Sequence, residues 1–409
     1  MKTVAQRFLE YVKHPTTSDE YAASYPSTAT QLEFAAFLAK ECEEIGLQAV
    51  SVDAYGYVTA TLPATAKQAP TIGFISHMDT SPDAKGDGIT PCITENYDGG
   101  EIPLKGITIT PEEFPFLKEY IGQTILTSDG TTLLGADDKA GIAEILSAME
   151  YLAAHSEIPH GEIRIAFTPD EEIGKGVDFF DVKAFGADFA YTIDGGKIGE
   201  LEYENFNAAR AVIRIHGKSV HPGTAKDIMV NAALIGAEIA AALPAEETPA
   251  KTDGYDGFFH LCSFEGNVSS AVLTYIIRDF DENSFARRKK RIETIVAEKN
   301  KSYPDRISLE IRDEYYNMAS QIAPHMEIVE LAKQAMEDCG ITPIIQPIRG
   351  GTDGARLSFM GLPCPNLFAG GHNFHGPYEL IPVSSMEKAV EMIVLICELS
   401  TTLDFPKNL

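Results

Sequence analysis

Residues 167–176 read FTPDEEIGKG, which sets Glu171 and Glu172 side by side between an alternating apolar run and a glycine-punctuated stretch. Adjacent carboxylates can be solubilising charge, or one can bind a metal while the other moves a proton. Four further groups carry the same kind of side chain: His77 and Asp79 in SHMDT, Asp137-Asp138 in GADDKAG, Asp194 in YTIDGG, and His372, His375 and Glu379 in GGHNFHGPYE. Histidines and carboxylates without paired cysteines suit borderline metals such as Zn²⁺, Mn²⁺ or Co²⁺. Two ions would need a bridging carboxylate and a spacing of roughly 3.5–4 Å; Asp137 or Asp138 could bridge. The spacing of His77 and Asp79 suggests that Asp79 accepts from the unligated ring nitrogen of His77 and so sets its tautomer. Each group has a plainer reading as well: a polar loop, surface charge, or a helix cap favoured by the helix dipole.

The elements that would hold these residues favour chemistry. Apolar runs at 47–52, 57–62, 71–76, 162–167 and 189–193 predict strands, and three of them end in His77, in Asp170-Glu171-Glu172 and in Asp194. Helical periodicity at 30–45 (Leu32, Phe34, Ala35, Leu38, Cys42, then Gly46) and at 139–155 (Ile142, Ile145, Leu146, Met149, Leu152) alternates with them. That order predicts an α/β fold with a mostly parallel sheet and helices on both faces. In such sheets ligands bind at the carboxyl ends of the strands, where these groups would meet.

The middle of the chain differs. Strand patterns at 209–216, 258–264, 271–280 and 307–314, with helices at 228–243 and 284–300, give the β-α-β-β-α-β order of a split-βαβ, ferredoxin-like α+β sandwich. The α/β pattern resumes at Pro324 with a helix to Asp338, and a last helix is expected to open on a capping box, Ser384-x-x-Glu387. Residues 1–207 and 320–409 therefore read as one domain and 208–319 as an insert, and 409 residues is long enough for two cores.

Bulk composition excludes some partners. The net charge, 33 − 60 = −27, would repel nucleic acid and anionic membrane surfaces. The one basic cluster, RRKKR at 287–291, sits on a helix whose buried stripe would be Phe285, Ile292, Ile295 and Val296, so a solvated face is expected. Six scattered cysteines, no apolar signal core near the start and no long apolar run make a reducing, cytoplasmic setting the expectation.

The series SHMDT, GADDKAG, TPDEEIGKG, YTIDGG and NFHGPYE, in this order and spacing, resembles the two-zinc exopeptidases related to carboxypeptidase G, aminoacylase and carnosinase. SVHPGTAKD (219–227), YIIRDFD (275–281) and the stretch IRGGTDGARLSFMGLPCPNLFAGG (348–371) extend the likeness over essentially the whole chain. It implies that His77 and Asp194 hold one zinc, that Glu172 and His375 hold the other, and that Asp137 bridges. Cobalt or manganese would be substitutes. Asp137 is preferred to Asp138 by the family pattern Asp-x-Lys-x-Gly, and His375 to His372 because the ligand stands four residues before a glutamate, here Glu379. Glu171 takes the role of general base, with Asp79 orienting His77. Asp170 is left without a role.

The resemblance further implies a metallo-aminopeptidase that removes the N-terminal residue of tripeptides, with an inserted lid or dimerisation domain through which a homodimer could form. His221, in that domain, is the candidate donor to the tetrahedral oxyanion. Arg278 and Arg349 are candidates for the peptide carboxylate, since a guanidinium fork fits it best, although Arg278 could instead pair with Asp279 or Asp281. Asn231 is a weaker candidate for a polar substrate contact. The alternatives are an N-acyl amino acid or dipeptide hydrolase of the same family and a non-catalytic, metal-dependent peptide binder, for which a general base would have no use.

Overall fold

The structure is a computed structural model and describes residues 1–405. The chain divides into two compact units: Met1–Tyr203 with Ser320–Gln346 and Thr352–Leu409, and Glu204–Ala319 with Pro347–Gly351. The IRGG stretch carrying Arg349 thus groups with the second unit, and not with the first as the expected boundary at residue 320 implies.

The first unit is built on an eight-stranded sheet in the order Gln48–Val52, Val58–Leu62, Ile163–Thr168, Ile72–His77, Phe189–Gly195, Asn366–Phe368, Glu200–Glu202, Ile344–Ile345. The strands at its centre are parallel, and antiparallel pairs lie to either side. Ile72–His77 is buried along its whole length, as a strand covered on both faces must be. Register decides the site. His77 pairs with Thr168, and Ile75 pairs with Thr192, so continuing two residues puts Asp194 level with His77. Three strand ends therefore arrive together.

Helix Ala136–Ala154 packs on these strands and on helices Val4–Tyr11 and Val383–Leu399. It begins three residues before the predicted start, and Asp137 and Asp138 within it have non-helical backbone angles. Helix Ala29–Ile45 buries Phe34, Ala35, Leu38 and Cys42 and stops at Gly46 in a left-handed cap, but Leu32 is exposed. The expected capping box at Ser384 is absent: the helix starts at Val383 with Pro382 as its cap, and the Ser384 hydroxyl bonds the Gln123 side chain. A three-stranded sheet (Leu380–Pro382, Ile125–Thr127, Cys92–Thr94) and a two-stranded one (Ile102–Pro103, Thr108–Ile109) have strands too short to show a period.

The second unit is a four-stranded antiparallel sheet, Phe258–Gly266, Ser270–Asp279, Asn207–His216 and Ile307–Tyr315, packed against helices Ala232–Ala241 and Glu282–Ser302. Its core takes alternate residues of the strands, such as Ala211, Ile213 and Ile215, with Phe285, Ile292 and Val296 of the basic helix. The basic cluster is partly paired within the unit: Arg288 bonds Asp279 at 2.7 Å and Lys289 bonds Asp313 at 2.8 Å. Among the described residues no helix is long and apolar enough to cross a membrane.

Candidate metal centre

His77 ends its strand almost fully buried. Its Nδ1 lies 3.0 Å from the carbonyl oxygen of Asp79 and 3.4 Å from Asp79 Oδ1. An N–H there can donate to the carbonyl, which leaves the Nε2 lone pair directed at Asp137 Oδ1 (2.8 Å) and Asp194 Oδ1 (3.4 Å). The Asp79 backbone carbonyl is therefore the nearer partner of Nδ1, with the side chain expected for that place also within reach. The Asp79 carboxylate instead accepts the amides of Glu171 (3.0 Å) and Glu172 (3.2 Å), so one residue holds both the histidine and the glutamate turn.

The second half of the centre faces the first across Asp137. His375 Nε2 lies 3.0 Å from Glu172 Oε2 and 3.2 Å from Asp137 Oδ2. Among the described residues two groups therefore have ligand atoms close enough for one ion each: His77, Asp137 and Asp194, and Asp137, Glu172 and His375. Asp137 belongs to both, with one oxygen turned to each histidine. The neighbouring Asp138, joined to it by a cis peptide bond, is buried and accepts from the amides of His77 and Gly141, both at 3.2 Å. His372 belongs to neither group. It stacks on Phe116 with ring centres 4.0 Å apart and meets Tyr120 Oη at 2.7 Å, and burial pushes its pKa down to about 4.

The donor set fits divalent metal. Among the described residues Glu172 Oε1 is buried with no hydrogen-bond partner. Burial raises the Glu171 carboxyl well above its usual range, with Asp194 adding to it. Burial and then Asp137 push Glu172 up to about 8. Hydrogen bonds to Asp137 and Glu172 push His375 up to about 11. Burial opposes charge on His77, yet the nearby Asp194 and Asp137 outweigh it and raise its pKa. Four carboxyl groups crowded together need positive charge among them, which bound divalent cations would supply. A cavity of about 380 Å³, lined in part by Ser18, Tyr21, Ser81, Glu172 and His375, opens beside the second group.

Three buried carboxylates to which the sequence assigns no chemical role hold the backbone around the centre. Glu379 accepts the amides of Leu134 (2.6 Å), Gly135 (2.9 Å) and Asp137 (3.1 Å), cradling the turn that carries the shared aspartate. Asp353 accepts from Thr168 Oγ1 at 2.7 Å and abuts Gly176, where a Cβ would lie 2.1 Å from Asp353 Oδ1. Asp170 fastens the other side of the glutamate turn. Glu379→Ala would leave three buried N–H groups without acceptors and is expected to cost about 3 kcal/mol of stability. Urea unfolding checks this; an unchanged midpoint would contradict it.

The remaining candidates belong to the second unit, where each has a local partner. His221 is exposed and its Nδ1 accepts from the Gly223 amide at 3.1 Å. Asn231 caps helix Ala232–Ala241, accepting from the Leu234 amide at 3.3 Å. Arg278 pairs with Glu314 at 3.2 Å, not with Asp279 or Asp281, and lies 5.2 Å over the Tyr315 ring. Arg349 donates to the carbonyl oxygens of Gly254 (2.6 Å) and Asp256 (3.2 Å) and lies 5.1 Å over Phe206. Phe206, Phe258 and Tyr315 pack together, so both arginines border one aromatic cluster.

The model of peptidase family M20/M25/M40 matches residues 129–399. The chain belongs to this family. It is 60% identical over 404 residues to a protein of Caldanaerobacter subterraneus named Peptidase T, covering 98% of this chain and 99% of that one. The crystal structure of aminopeptidase PepT from Bacillus cereus matches with a TM-score of 0.78 at 27% identity, over 97% of this chain and 98% of that chain. A tripeptidase from Staphylococcus aureus shares the fold with a TM-score of 0.80 at 21% identity, over 98% of each chain. The chain is accordingly a peptidase, on the fold expected of this family: a mixed, mostly parallel central sheet with helices, and an inserted α+β unit.

Proposed function

We propose that this peptidase is an aminopeptidase acting on tripeptides, with His77 and Asp194 holding one divalent ion, Glu172 and His375 a second, and Asp137 shared between them. Zinc is the metal we assign, with cobalt or manganese as substitutes. The observation that carries the reading is the placement of Asp137, one oxygen towards each histidine, with the half-buried Glu171 in neither ligand group. The names of the full-length relatives, Peptidase T and an aminopeptidase, support a peptide substrate cut at its amino end.

Two divalent ions bound by these residues would lower the pKa of water and polarise the peptide carbonyl. Glu171 accepts the proton released by the attacking water and returns it to the leaving amine. Asp79 keeps Glu171 and Glu172 apart in direction by binding both amides. His221 is assigned as donor to the oxyanion, Arg278 and Arg349 as receptors for the peptide carboxylate, and Asn231 as a further polar contact. Support for the arginines is their common position at the aromatic cluster of the second unit.

A peptide-length series tests the substrate claim. Tripeptides are expected to be cut faster than di- and tetrapeptides of the same composition, and Arg278→Met is expected to flatten that preference by raising KM. Equal rates on all lengths would remove the tripeptide assignment, and cleavage of N-acylated substrates alone would favour an acyl amino acid hydrolase. Metal uptake should also depend on pH. Without metal, Glu172 holds its proton up to about 8 and His375 up to about 11, so an incoming ion must displace protons. Apparent metal affinity is therefore expected to rise with pH below 8, by about tenfold per pH unit for each proton displaced. Chelator competition at several pH values checks the sign; a flat or falling profile would contradict it.

A further inference from the structure

Asp170 precedes the two glutamates and is fully buried, with its backbone in the left-handed region (φ 58°, ψ 25°). Non-glycine residues seldom adopt that conformation, aspartate and asparagine being the usual exceptions. Its carboxylate accepts from the Ser27 amide (2.6 Å), the Ser27 hydroxyl (2.5 Å) and Gln31 Nε2 (2.7 Å). Its own amide donates to Gln31 Oε1 at 3.1 Å, and its carbonyl accepts from the Lys175 amide at 3.0 Å. Five hydrogen bonds thus converge on one residue. Four of the five partnering groups lie about 140 positions back along the chain, on Ser27 and Gln31 around the start of helix Ala29–Ile45.

The glutamate turn is held at two points. Asp79 binds the amides of Glu171 and Glu172 from one side, while Asp170 fixes the residue at which the chain reverses into the turn. With only the Asp79 contact the turn could still pivot about its entry, and Glu171 and Glu172 would swing together. With both, the backbone from which each side chain departs is fixed. We infer that Asp170 is a positioning residue for the hydrolytic reaction, locking the turn so that Glu172 meets its ion while Glu171 faces the water. Ser27 and Gln31 are the anchors through which it acts. The inference rests on the roles of Glu171 and Glu172 proposed above.

The test uses the zinc-loaded protein and Asp170→Asn, which tolerates the same backbone conformation but replaces one acceptor oxygen with a donor. The expected result is a fall in kcat of about 10- to 100-fold with KM within about two-fold of the parent. Chelator competition is expected to show one of two bound zinc ions released about tenfold more readily and the other unchanged. That second readout needs no turnover, so it follows the geometry of Glu172 even if the base assignment of Glu171 fails. Glu171→Gln, run alongside, reports on the base alone. Should Asp170→Asn not be recovered folded, Gln31→Met removes one anchor and is expected to move both readouts the same way, by less. A kcat and zinc release both within about two-fold of the parent would overturn the inference, whatever the unfolding midpoint does. So would a loss expressed in KM alone.

Discussion

Glu171→Gln is expected to lower kcat by about 10²- to 10⁴-fold while leaving bound metal at the parental level. The amide has the shape of the carboxylate but cannot take a proton from water. Glu171 lies outside both candidate ligand groups, so its loss should not release an ion. Its backbone amide stays on Asp79 Oδ1, which keeps the turn and Glu172 in place. Elemental analysis after dialysis and a kcat measurement at saturating peptide separate the two effects. Retained turnover would show that another group takes the proton. Turnover lost together with metal would show that Glu171 is a ligand.

The second large effect is expected at Asp137. Asp137→Ala should reduce bound metal from two ions to fewer than one per chain and lower kcat/KM by at least about 10³-fold, because one carboxylate serves both sites. Only Asp137 appears in both groups of facing ligand atoms. The effect should be specific to its position in the pair. Asp138 is turned to the backbone amides of His77 and Gly141. Asp138→Asn is therefore expected to act through stability and not through metal stoichiometry. If Asp137→Ala retains one tightly held ion and Asp138→Asn loses both, the two residues have been assigned the wrong way round.

Much of the centre was legible in the sequence because strand periodicity marks where strands end, and His77, Glu171, Glu172 and Asp194 stand at such ends. The choice of His375 over His372 rested on likeness to a family, and the structure supplies a physical reason for it: His372 is enclosed by Phe116 and Tyr120. What could not be read was pairing over long separations. Glu379 reaches the turn at 134–137, and Asp170 reaches Ser27 and Gln31, through contacts that no local pattern encodes. The division of labour within Asp79, carbonyl to His77 and carboxylate to the glutamate amides, depends on a backbone path that spacing alone does not reveal. Arg278 illustrates a rule that was available. Neighbouring residues on a strand face opposite sides of the sheet, which disfavours a pair with Asp279 and directs the arginine to Glu314 on another strand. The missing capping box shows the reverse case, a sequence pattern overridden when the helix starts at Val383 with Pro382 as its cap, two residues ahead of a cap at Ser384.

Anomalous diffraction at the zinc edge from crystals of the zinc-loaded protein tests the central claim most directly. The account predicts two peaks about 3.5–4 Å apart, one beside His77 and Asp194, the other beside Glu172 and His375, with Asp137 between them. A single peak, or peaks that leave Asp137 uncoordinated, would contradict it.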